Sequence, residues 1–466
     1  MNRRFDAVVI GTGQAGPSLA ARLAAQLGDK GRKVAIIERK RFGGTCVNNG
    51  CIPTKTLVAS AYAAHLARRA AEYGVMIDSP VRIDMKRVKA RKDEVAVRAS
   101  QNVEKWLKGV PNLTVIEGHA RFESPASVSV NGANGDLIEA KEFFINVGGR
   151  ALIPAMPGLD QVNYLTNSSI MDVDFVPEHL IIIGGSYIGL EFGQMYRRFG
   201  ARVTIIEKAP QIIAREDPEV SQAVLDILRN EGVTVETGAE CMTLEKRGEH
   251  IAVKLDCATG AREVEGSHLL LAVGRVPNTD DLGLDRAGVQ TDARGNISVD
   301  DRLRTNVPGI WAIGDCNGRG AFTHTSYNDY EIVADNLLNG DTRSVNDRLT
   351  AYGLFTDPPL ARVGMSDAEI RKSGRRALTG TRLMTRVGRA VEKGETQGFM
   401  KITVDADSKE ILGAAILGVG GDEAIHCVLD LMVAKAPYTV LQRAVHIHPT
   451  VAELIPTMLG ELKPLI

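Results

Sequence analysis

Two segments of the chain repeat one pattern, and this repetition constrains the fold more than any other feature. Each is an apolar strand-like run, a glycine-rich turn, an amphipathic helix and a second strand-like run. The first begins at Ala7 as AVVIGTGQAGPSLAARLA and ends with KVAIIERK; the second begins at His179 as HLIIIGGSYIGLEFGQMYRRFG and ends with RVTIIEKA. Strands that alternate with helices in this way form parallel sheets. The sequence therefore predicts an α/β fold with two Rossmann-like dinucleotide-binding domains.

The first glycine turn has the spacing GxGxxG, with Gly11, Gly13 and Gly16 between the strand and the helix. Residues without side chains let the backbone turn tightly and approach a pyrophosphate at the positive end of the helix. Glu38 ends the second strand of the unit, where a carboxylate binds ribose hydroxyls. A lone glycine motif is also consistent with a tight turn that binds nothing. Strand, helix and terminal acid together favour a dinucleotide.

The second glycine turn is less regular. Gly184 and Gly189 hold the outer positions, Ser186 replaces the middle glycine, and Glu207 ends the following strand. Serine is small enough to permit a close backbone approach. A strand-to-helix turn without a ligand remains the alternative here.

The segment from Gly43 to Lys55 reads GGTCVNNGCIPTK and contains two cysteines, Cys46 and Cys51. Five residues of continuous helix would separate them by about 7.5 Å along the axis, too far for a disulfide. We therefore predict a bend at Gly50 and Pro53, and a disulfide held there would be easy to reduce. The alternatives are an inert cysteine pair and a metal site, which lacks two further ligands at the usual spacing. We predict no resident metal ion.

Near the C-terminus the chain reads HIHPTVAE from His446 to Glu453. A histidine followed five residues later by a glutamate, with a proline between them, allows contact between the His448 imidazole and the Glu453 carboxylate. Such a carboxylate orients the ring and raises its basicity, as an acid/base that serves thiols requires. A purely structural histidine is the alternative, and His446, which has no such partner in the sequence, is interpreted as structural.

Composition excludes several classes of function. The chain has 466 residues, enough for two to four domains, and a formal net charge of −1 with 24% charged residues. This balance gives no reason to expect nucleic acid or a membrane surface as a partner. The N-terminus lacks the features of a signal peptide, so we expect a cytoplasmic protein. Six cysteines are too few for a disulfide scaffold.

Secondary structure outside the two units is predicted more coarsely. We expect helices over residues 51–74 and about 88–107, and strands within 113–147. Beyond about residue 346 the pattern predicts strands at 399–404 and 411–419, followed by two helices, the last of which closes the chain.

Together with LAVGRVPNT at 271–279 and GIWAIGD at 309–315, these motifs resemble the flavin-containing pyridine nucleotide–disulfide oxidoreductases. That family includes dihydrolipoamide dehydrogenase, glutathione reductase and mercuric reductase, and the resemblance runs over nearly the whole chain. It implies a FAD-binding domain (1–149 and 273–346), an inserted NAD(P)-binding domain (150–272) and an α+β C-terminal dimerisation domain (347–466). It also implies a homodimeric enzyme that uses FAD with NADH or NADPH.

The resemblance also implies catalytic roles at matching positions. Cys51 would be the sulfur next to the flavin, and Cys46 the interchange sulfur that attacks the substrate. Lys55 would lie near the flavin and pair with Glu191. His448 and Glu453 would serve the cysteines of the partner subunit.

Cofactor-binding roles follow in the same way. Tyr187 would be an aromatic lid over the nicotinamide site, and Asp315 would bind the ribityl chain of FAD. The remaining positions implied for FAD are Gly11, Gly13, Gly16, Glu38, Gly44, Thr45 and Lys55, and those implied for NAD(P) are Gly184, Ser186, Gly189, Glu207 and Gly274.

The electron acceptor and the direction of electron flow are not readable from these motifs. A small disulfide or a protein-bound lipoyl group is expected, with a soft metal ion as an alternative. The chain ends in LGELKPLI without the cysteine pair of mercuric reductase, which argues against mercuric ion. A flavin NADH oxidase or quinone reductase and a redox-sensing binding protein are further alternatives, disfavoured by the intact cysteine and histidine motifs. We expect NADH rather than NADPH, because the Glu207 carboxylate would repel a 2′-phosphate.

Overall fold

The computed structural model describes residues 2–25, 32–131, 135–255 and 262–465. Its largest element is a seven-stranded sheet near the N-terminus. Five strands are parallel, and two antiparallel strands extend one side of the sheet. The parallel strands, in spatial order, are Leu113–Glu117, Val34–Glu38, Asn2–Ile10, Leu137–Ile145 and Ile310–Ala312, and the antiparallel ones are Ser127–Val130 and Ala120–Ser124.

Helices cover one face of this sheet with their apolar sides. Leu19, Leu107 and Ile332, each from a different helix, are fully or almost fully buried against strand residues of the sheet. The helices that supply this layer are Gly16–Ala24, Met85–Lys108 and Thr323–Leu338. The ends of the central strands, which carry the glycine and cysteine motifs, are thereby fixed on a rigid support.

A second parallel sheet has four strands in the order Thr234–Glu236, Arg202–Ile206, His179–Ile183 and His268–Leu271. Helices Tyr187–Phe199 and Pro218–Asn230 pack on it, and an antiparallel sheet of Thr243–Arg247, His250–Lys254 and Glu263–Gly266 lies beside it. Strands Gly149–Ala151 and Arg275–Pro277 pair where the chain enters and leaves this unit. The two parallel sheets, each covered by helices, confirm the predicted α/β class.

The C-terminal part is a six-stranded antiparallel sheet. Its spatial order is Ala351–Leu354, Leu360–Gly364, Ile411–Leu417, Phe399–Asp405, Ala377–Leu383 and Lys463–Pro464. The predicted pair of closing helices is wrong. The structure has four short helices there, namely Gly421–Ala424, His426–Val433, Tyr438–Gln442 and Leu454–Leu459, and the last described element is a strand. Prolines at 437 and 449 interrupt the helical ladder, and the final strand pairs with the edge of the sheet at Leu378 and Thr379.

Two predicted helix boundaries also shift. The helix expected over 51–74 is Cys51–Arg68, followed by a 3₁₀ turn at Ala70–Tyr73. The helix expected from about residue 88 begins at Met85, because the Asp84 carboxylate accepts a hydrogen bond from the Arg87 amide at 3.0 Å. The remaining short helices are Gly44–Asn48, Leu284–Ala287, Asp367–Ser373 and Gly388–Glu392. In the described parts of the chain, no helix combines the length and apolar character that spanning a membrane would require.

Candidate active site

The first glycine turn packs tightly against the end of a neighbouring strand. Gly11 has φ +102°, and a Cβ atom there would lie 2.3 Å from the carbonyl oxygen of Asn146. A Cβ atom on Gly16 would lie 2.2 Å from the Gly11 carbonyl oxygen. Gly44, from the cysteine segment, also touches this turn, since a Cβ atom on it would lie 2.7 Å from the Gly13 Cα. The fold therefore places the glycine turn and the cysteine motif side by side.

Asn146 organises this region, and sequence reasoning missed it. Its Oδ1 accepts a hydrogen bond from the Gly16 amide at 2.9 Å, and its Nδ2 donates to the Ile313 carbonyl at 2.9 Å. Its own amide donates to the Ile10 carbonyl at 2.8 Å. Through its backbone and its side chain together, Asn146 thus connects the ends of three parallel strands and the start of the first helix. The sequence feature that could have indicated its role is its position immediately after the buried strand that ends at Ile145.

The two terminal acids occupy equivalent positions in their units. Glu38 accepts hydrogen bonds from the Thr12 amide at 3.0 Å and the Lys40 amide at 2.8 Å. Glu207 accepts from the Gly185 amide at 2.6 Å and from the Ala209 amide at 2.8 Å. Backbone donors therefore fix each carboxylate against the glycine turn of its own unit, where a ribose would lie.

The second glycine turn is built like the first. A Cβ atom on Gly184 would lie 2.4 Å from the Ala272 carbonyl oxygen, and one on Gly189 would lie 1.9 Å from the Gly184 carbonyl oxygen. Ser186 is exposed at the N-terminus of helix Tyr187–Phe199, and its hydroxyl does not cap that helix. Gly274 follows the adjacent strand with φ +133°, and among the described residues other than its chain neighbours, the nearest atom to a Cβ there would be Leu152 Cδ2 at 4.0 Å. Backbone amides and a small exposed hydroxyl meet at this helix end, as binding of a pyrophosphate requires.

The cysteine segment bends at Gly50, between its two sulfurs, as the spacing predicted, whereas Pro53 lies in the first turn of the following helix. Thr45 and Cys46 lie in the short helix Gly44–Asn48, and Cys51 begins the helix that ends at Arg68. At the bend, a Cβ atom on Gly50 would lie 2.8 Å from the Thr45 carbonyl oxygen, so a side chain would not fit there. Both cysteines are free thiols, with Cys46 half-buried and Cys51 exposed.

The two thiols are electrostatically unequal. The pKa of Cys51 is lowered to about 6, first by the hydrogen bond from Cys46, then by Thr323, whose hydroxyl lies 3.2 Å from the sulfur, and by the charge of Lys55. The same shared hydrogen bond raises the pKa of Cys46 above its usual range, and burial adds to the effect. Thr323 begins a 16-residue helix, whose positive end also favours a thiolate. Both shifts favour the thiolate form at Cys51 and the protonated thiol at Cys46.

Lys55 and Glu191 form an ion pair with 2.5 Å between Nζ and Oε2. Phe355 completes this pair from the C-terminal part of the chain, and it too was missed by sequence reasoning. Its backbone amide donates to Glu191 Oε1 at 2.9 Å, and its ring centroid lies 4.4 Å from Lys55 Nζ. The ammonium and the carboxylate are thus each held by a second contact.

Asp315 lies half-buried after the strand that ends at Ala312. Burial raises the pKa of its carboxyl group, and the Arg275 Nε lies 4.0 Å from it. Among the described residues, no side chain donates a hydrogen bond to this carboxylate within 3.5 Å. Asp329 fixes the turn by accepting from the Gly314 amide at 2.8 Å and from Asn317 Nδ2 at 3.0 Å. A carboxylate that is desolvated and short of donors suits the hydroxyl groups of a bound ligand.

His448 and Glu453 are in contact, with His448 Nδ1 3.0 and 3.1 Å from the two carboxylate oxygens. The His448 side chain is 80% exposed, whereas that of Glu453 is 15% exposed. Within the described residues, no hydrogen bond joins this ring to Cys46 or Cys51 of the same chain. The Glu453 carboxylate therefore holds an imidazole ring that is otherwise exposed at the surface of this chain.

The family follows from two sequence matches. The family described as "Pyridine nucleotide-disulphide oxidoreductase" matches residues 5–329, and its dimerisation domain matches residues 350–459. The chain belongs to this family. It is therefore a flavin-dependent pyridine nucleotide–disulfide oxidoreductase, and the predicted family, fold class and enzyme class are confirmed.

Members of several branches of the family are similar to this oxidoreductase. A mercuric reductase of Streptomyces lividans is 35% identical over 454 residues, covering 97% of this chain and 94% of the relative. The probable pyridine nucleotide-disulfide oxidoreductase RclA of Escherichia coli is 35% identical over 465 residues, covering 99% and 100%. A structure of the Cu(II) complex of HOCl-induced flavoprotein disulfide reductase RclA from E. coli has a TM-score of 0.89 at 34% identity, covering 99% and 100%.

The residues present fit the two cofactors of the family, FAD and a pyridine nucleotide. A side chain at Gly11, Gly16, Gly184 or Gly189 would overlap a backbone carbonyl oxygen, and each turn has a carboxylate fixed where a ribose would lie. Asp315 adds a desolvated acceptor beside the first turn. The match to the dimerisation domain covers most of the antiparallel C-terminal sheet.

Proposed function

We propose that this oxidoreductase is a cytoplasmic homodimer that reduces a small disulfide or a protein-bound lipoyl disulfide with electrons from NADH. The observation that carries the proposal is the geometry of the thiol pair: Cys46 and Cys51 are free thiols on the two sides of one bend, and the Cys51 sulfur lies 3.2 Å from the Thr323 hydroxyl at the start of a helix. The hydrogen bond from Cys46, that of Thr323 and the charge of Lys55 lower the pKa of the Cys51 thiol. A thiolate next to a second thiol is the arrangement that thiol–disulfide exchange needs.

The cofactor sites are assigned to the two glycine turns. We assign FAD to the first turn, in a domain formed by residues 1–149 and 273–346. We assign the nicotinamide nucleotide to the second turn, in the domain of residues 150–272. Bound FAD would supply the two-electron chemistry that links a nicotinamide to a disulfide. Lys55, held by Glu191 and Phe355, would place a positive charge beside it. The residues assigned to FAD are Gly11, Gly13, Gly16, Glu38, Gly44, Thr45 and Asp315, and those assigned to the nucleotide are Gly184, Ser186, Tyr187, Gly189, Glu207 and Gly274.

The thiol chemistry is assigned to Cys46, Cys51 and His448. The partner subunit's His448 takes the proton of Cys46, and the Cys46 sulfur attacks one sulfur of the substrate disulfide. The first product thiol leaves with that proton, and a mixed disulfide remains on Cys46. The Cys51 thiolate then attacks the Cys46 sulfur, which releases the second product as a thiolate and leaves a Cys46–Cys51 disulfide; the released thiolate takes up its proton from water. Because the pKa of Cys46 is raised, the first attack, by the Cys46 sulfur on the substrate, needs a base.

A homodimer is supported by the surface around His448. Val445 and Ile447, which flank His446, are 99% and 80% exposed, respectively. Apolar side chains exposed to this extent next to a functional histidine favour a protein interface there. The region lies within residues 347–466, which we assign as the dimerisation domain.

An anaerobic titration tests the proposed function. The FAD-loaded wild type should take up two electron pairs per subunit, one at the flavin and one at the cysteines. Cys51→Ser should take up one pair, because it cannot form the disulfide. Uptake of a single pair by the wild type would contradict the proposal and favour a flavin oxidase or quinone reductase.

We expect NADH to be preferred over NADPH because we assign Glu207 to the ribose of the nucleotide. Its carboxylate accepts hydrogen bonds from ribose hydroxyls but repels a 2′-phosphate. Arg202 points elsewhere, since it pairs with Glu178 at 2.8 Å at the other end of the strand. Glu207→Ala should reduce the ratio of kcat/KM for NADH over NADPH by about tenfold, which is about 1.4 kcal/mol.

The matched control is Glu249→Ala, which removes an exposed carboxylate from a distant hairpin of the same unit. It should leave the ratio unchanged. A wild type that clearly favours NADPH would overturn the assignment of Glu207.

A soft metal ion is the second candidate substrate. Free thiols bind such ions well, and Cys51 is exposed. The similar proteins include mercuric reductases and a reductase solved as a Cu(II) complex. NADH consumption that depends on Hg²⁺ or Cu²⁺, needs no disulfide and is lost in Cys46→Ser would favour this candidate.

A further inference from the structure

The ring of Tyr187 rests edge-on against two other aromatic rings. Its centroid lies 6.1 Å from that of Phe322 and 5.7 Å from that of Tyr352, with interplanar angles of 87° and 76°. Phe322 and Tyr352 are themselves stacked, at 5.8 Å and 15°. Edge-to-face packing of this kind is favourable beyond simple burial of area. The resting position of Tyr187 is therefore defined by a stacked pair from elsewhere in the chain.

Tyr352 is fixed by a carboxylate of the nucleotide-binding unit. Its hydroxyl donates to Glu216 Oε1 at 2.6 Å, and Arg362 Nε donates to Glu216 Oε2 at 2.7 Å. Tyr352 and Arg362 are direct cross-strand partners in one antiparallel hairpin. Both donors that hold Glu216 therefore come from a single rigid element of the C-terminal sheet.

The charges behind this contact are buried and paired. Arg362 also donates to Asp217 Oδ2 at 2.7 Å, and the side chains of Arg362, Glu216 and Asp217 are at most 4% exposed. Loss of one partner from such a group leaves a buried charge unpaired, so the arrangement has little freedom to change. The pKa of Tyr187 is raised to about 12 by burial and then by the negative charge of Glu216.

We infer that Tyr352 is a positioning residue, held by Glu216 and Arg362, that fixes the resting position of the Tyr187 ring. The inference rests on the proposed function, in which Tyr187 is the lid of the nicotinamide site. A nicotinamide that enters must separate Tyr187 from Tyr352 and Phe322, whereas the ADP-ribose part of the nucleotide need not. The C-terminal sheet thereby sets part of the cost of nicotinamide binding.

The affinities of the oxidised, FAD-loaded enzyme for two ligands separate the free energy of displacing Tyr187 from that of binding the rest of the nucleotide. NAD⁺ must displace Tyr187, and ADP-ribose, which lacks nicotinamide, serves as the reference. In Tyr352→Leu the Kd of NAD⁺ should fall by about two- to tenfold, the range expected for one ring pair, while the Kd of ADP-ribose stays unchanged. Calorimetry measures both constants without turnover.

Tyr187→Leu identifies which assignment fails. If the ratio of the NAD⁺ and ADP-ribose constants falls in Tyr187→Leu but not in Tyr352→Leu, the inference is overturned and the lid stands. A ratio that falls in neither variant overturns the lid and the inference together, whereas the disulfide chemistry is judged separately by the anaerobic titration. If both single variants lower the ratio, the double variant should have the same ratio as Tyr187→Leu, because that substitution already removes the contact with Tyr352.

Two further variants test whether the change in the ratio comes from misfolding or from the loss of any aromatic contact. Tyr352→Phe keeps the ring and loses only the bond to Glu216; it should shift the ratio in the same direction by about twofold, and no shift would overturn the role of that bond. Tyr327→Leu removes a comparable edge-to-face partner, 5.0 Å from Tyr330, and should leave the ratio unchanged. A change as large as that in Tyr352→Leu would mean that the effect is not specific.

Discussion

Cys46→Ser abolishes disulfide reduction, with a loss of about 10⁴-fold or more, and leaves the acidic thiol of Cys51 in place. The hydroxyl of serine does not form a mixed disulfide, so the attack on substrate is lost. It does donate a hydrogen bond, and the bond from residue 46 is the largest cause of the lowered pKa of Cys51. Activity and thiol acidity should therefore separate in this variant.

The pH dependence of alkylation by iodoacetamide measures this acidity. Cys51 is a thiolate above its pKa, so in Cys46→Ser its alkylation rate should rise through a midpoint near pH 6 and be lost as the pH falls below it. In Cys46→Ala the donor is gone, and the midpoint should move up toward the ordinary range of a thiol. The double variant Cys46→Ser/Cys51→Ser gives the background from the other cysteines. Equal midpoints in the serine and alanine variants would contradict the assignment of Cys46 as the donor.

His448→Gln lowers disulfide turnover by about 10²–10⁴-fold, because it removes the group that takes the proton of Cys46. Reduction of an artificial dye by NADH needs no thiol exchange and should be nearly unchanged. His446→Gln is the matched control, since this neighbouring ring is not paired with a carboxylate of the described residues and should have little effect on either assay. Equal losses of disulfide and dye reduction in His448→Gln would mean that the residue is structural.

Mixed dimers decide whether His448 acts across the interface. In a dimer of one Cys46→Ser chain and one His448→Gln chain, one site would combine intact cysteines with the partner subunit's His448. Such dimers should recover about half of the wild-type activity, although each parent dimer is nearly inactive. If His448 served the cysteines of its own chain, both sites of the mixed dimer would be defective and no activity would return.

The sequence by itself determined the features that depend on local spacing. The glycine turns follow from residues within one strand–turn–helix unit, and the bend between Cys46 and Cys51 follows from the reach of a disulfide and the residues between them. The contact of His448 with Glu453 is likewise local, since five residues separate them. The α/β class followed from periodicity that each segment carries alone.

Only the tertiary structure decided which distant side chains complete the site. Asn146 connects three strand ends, Thr323 meets Cys51 across 272 positions, and Phe355 reaches Glu191 from just after a strand of the C-terminal sheet. None of these residues carries a local motif, because its role depends on where the strands and helices pack. The order of acidity between the two thiols was decided in the same way, since it arises from hydrogen bonds and charges that exist only once the chain has folded. The four short helices and terminal strand at the C-terminus were also set by packing, because prolines and an open sheet edge outweighed the helical pattern of the sequence.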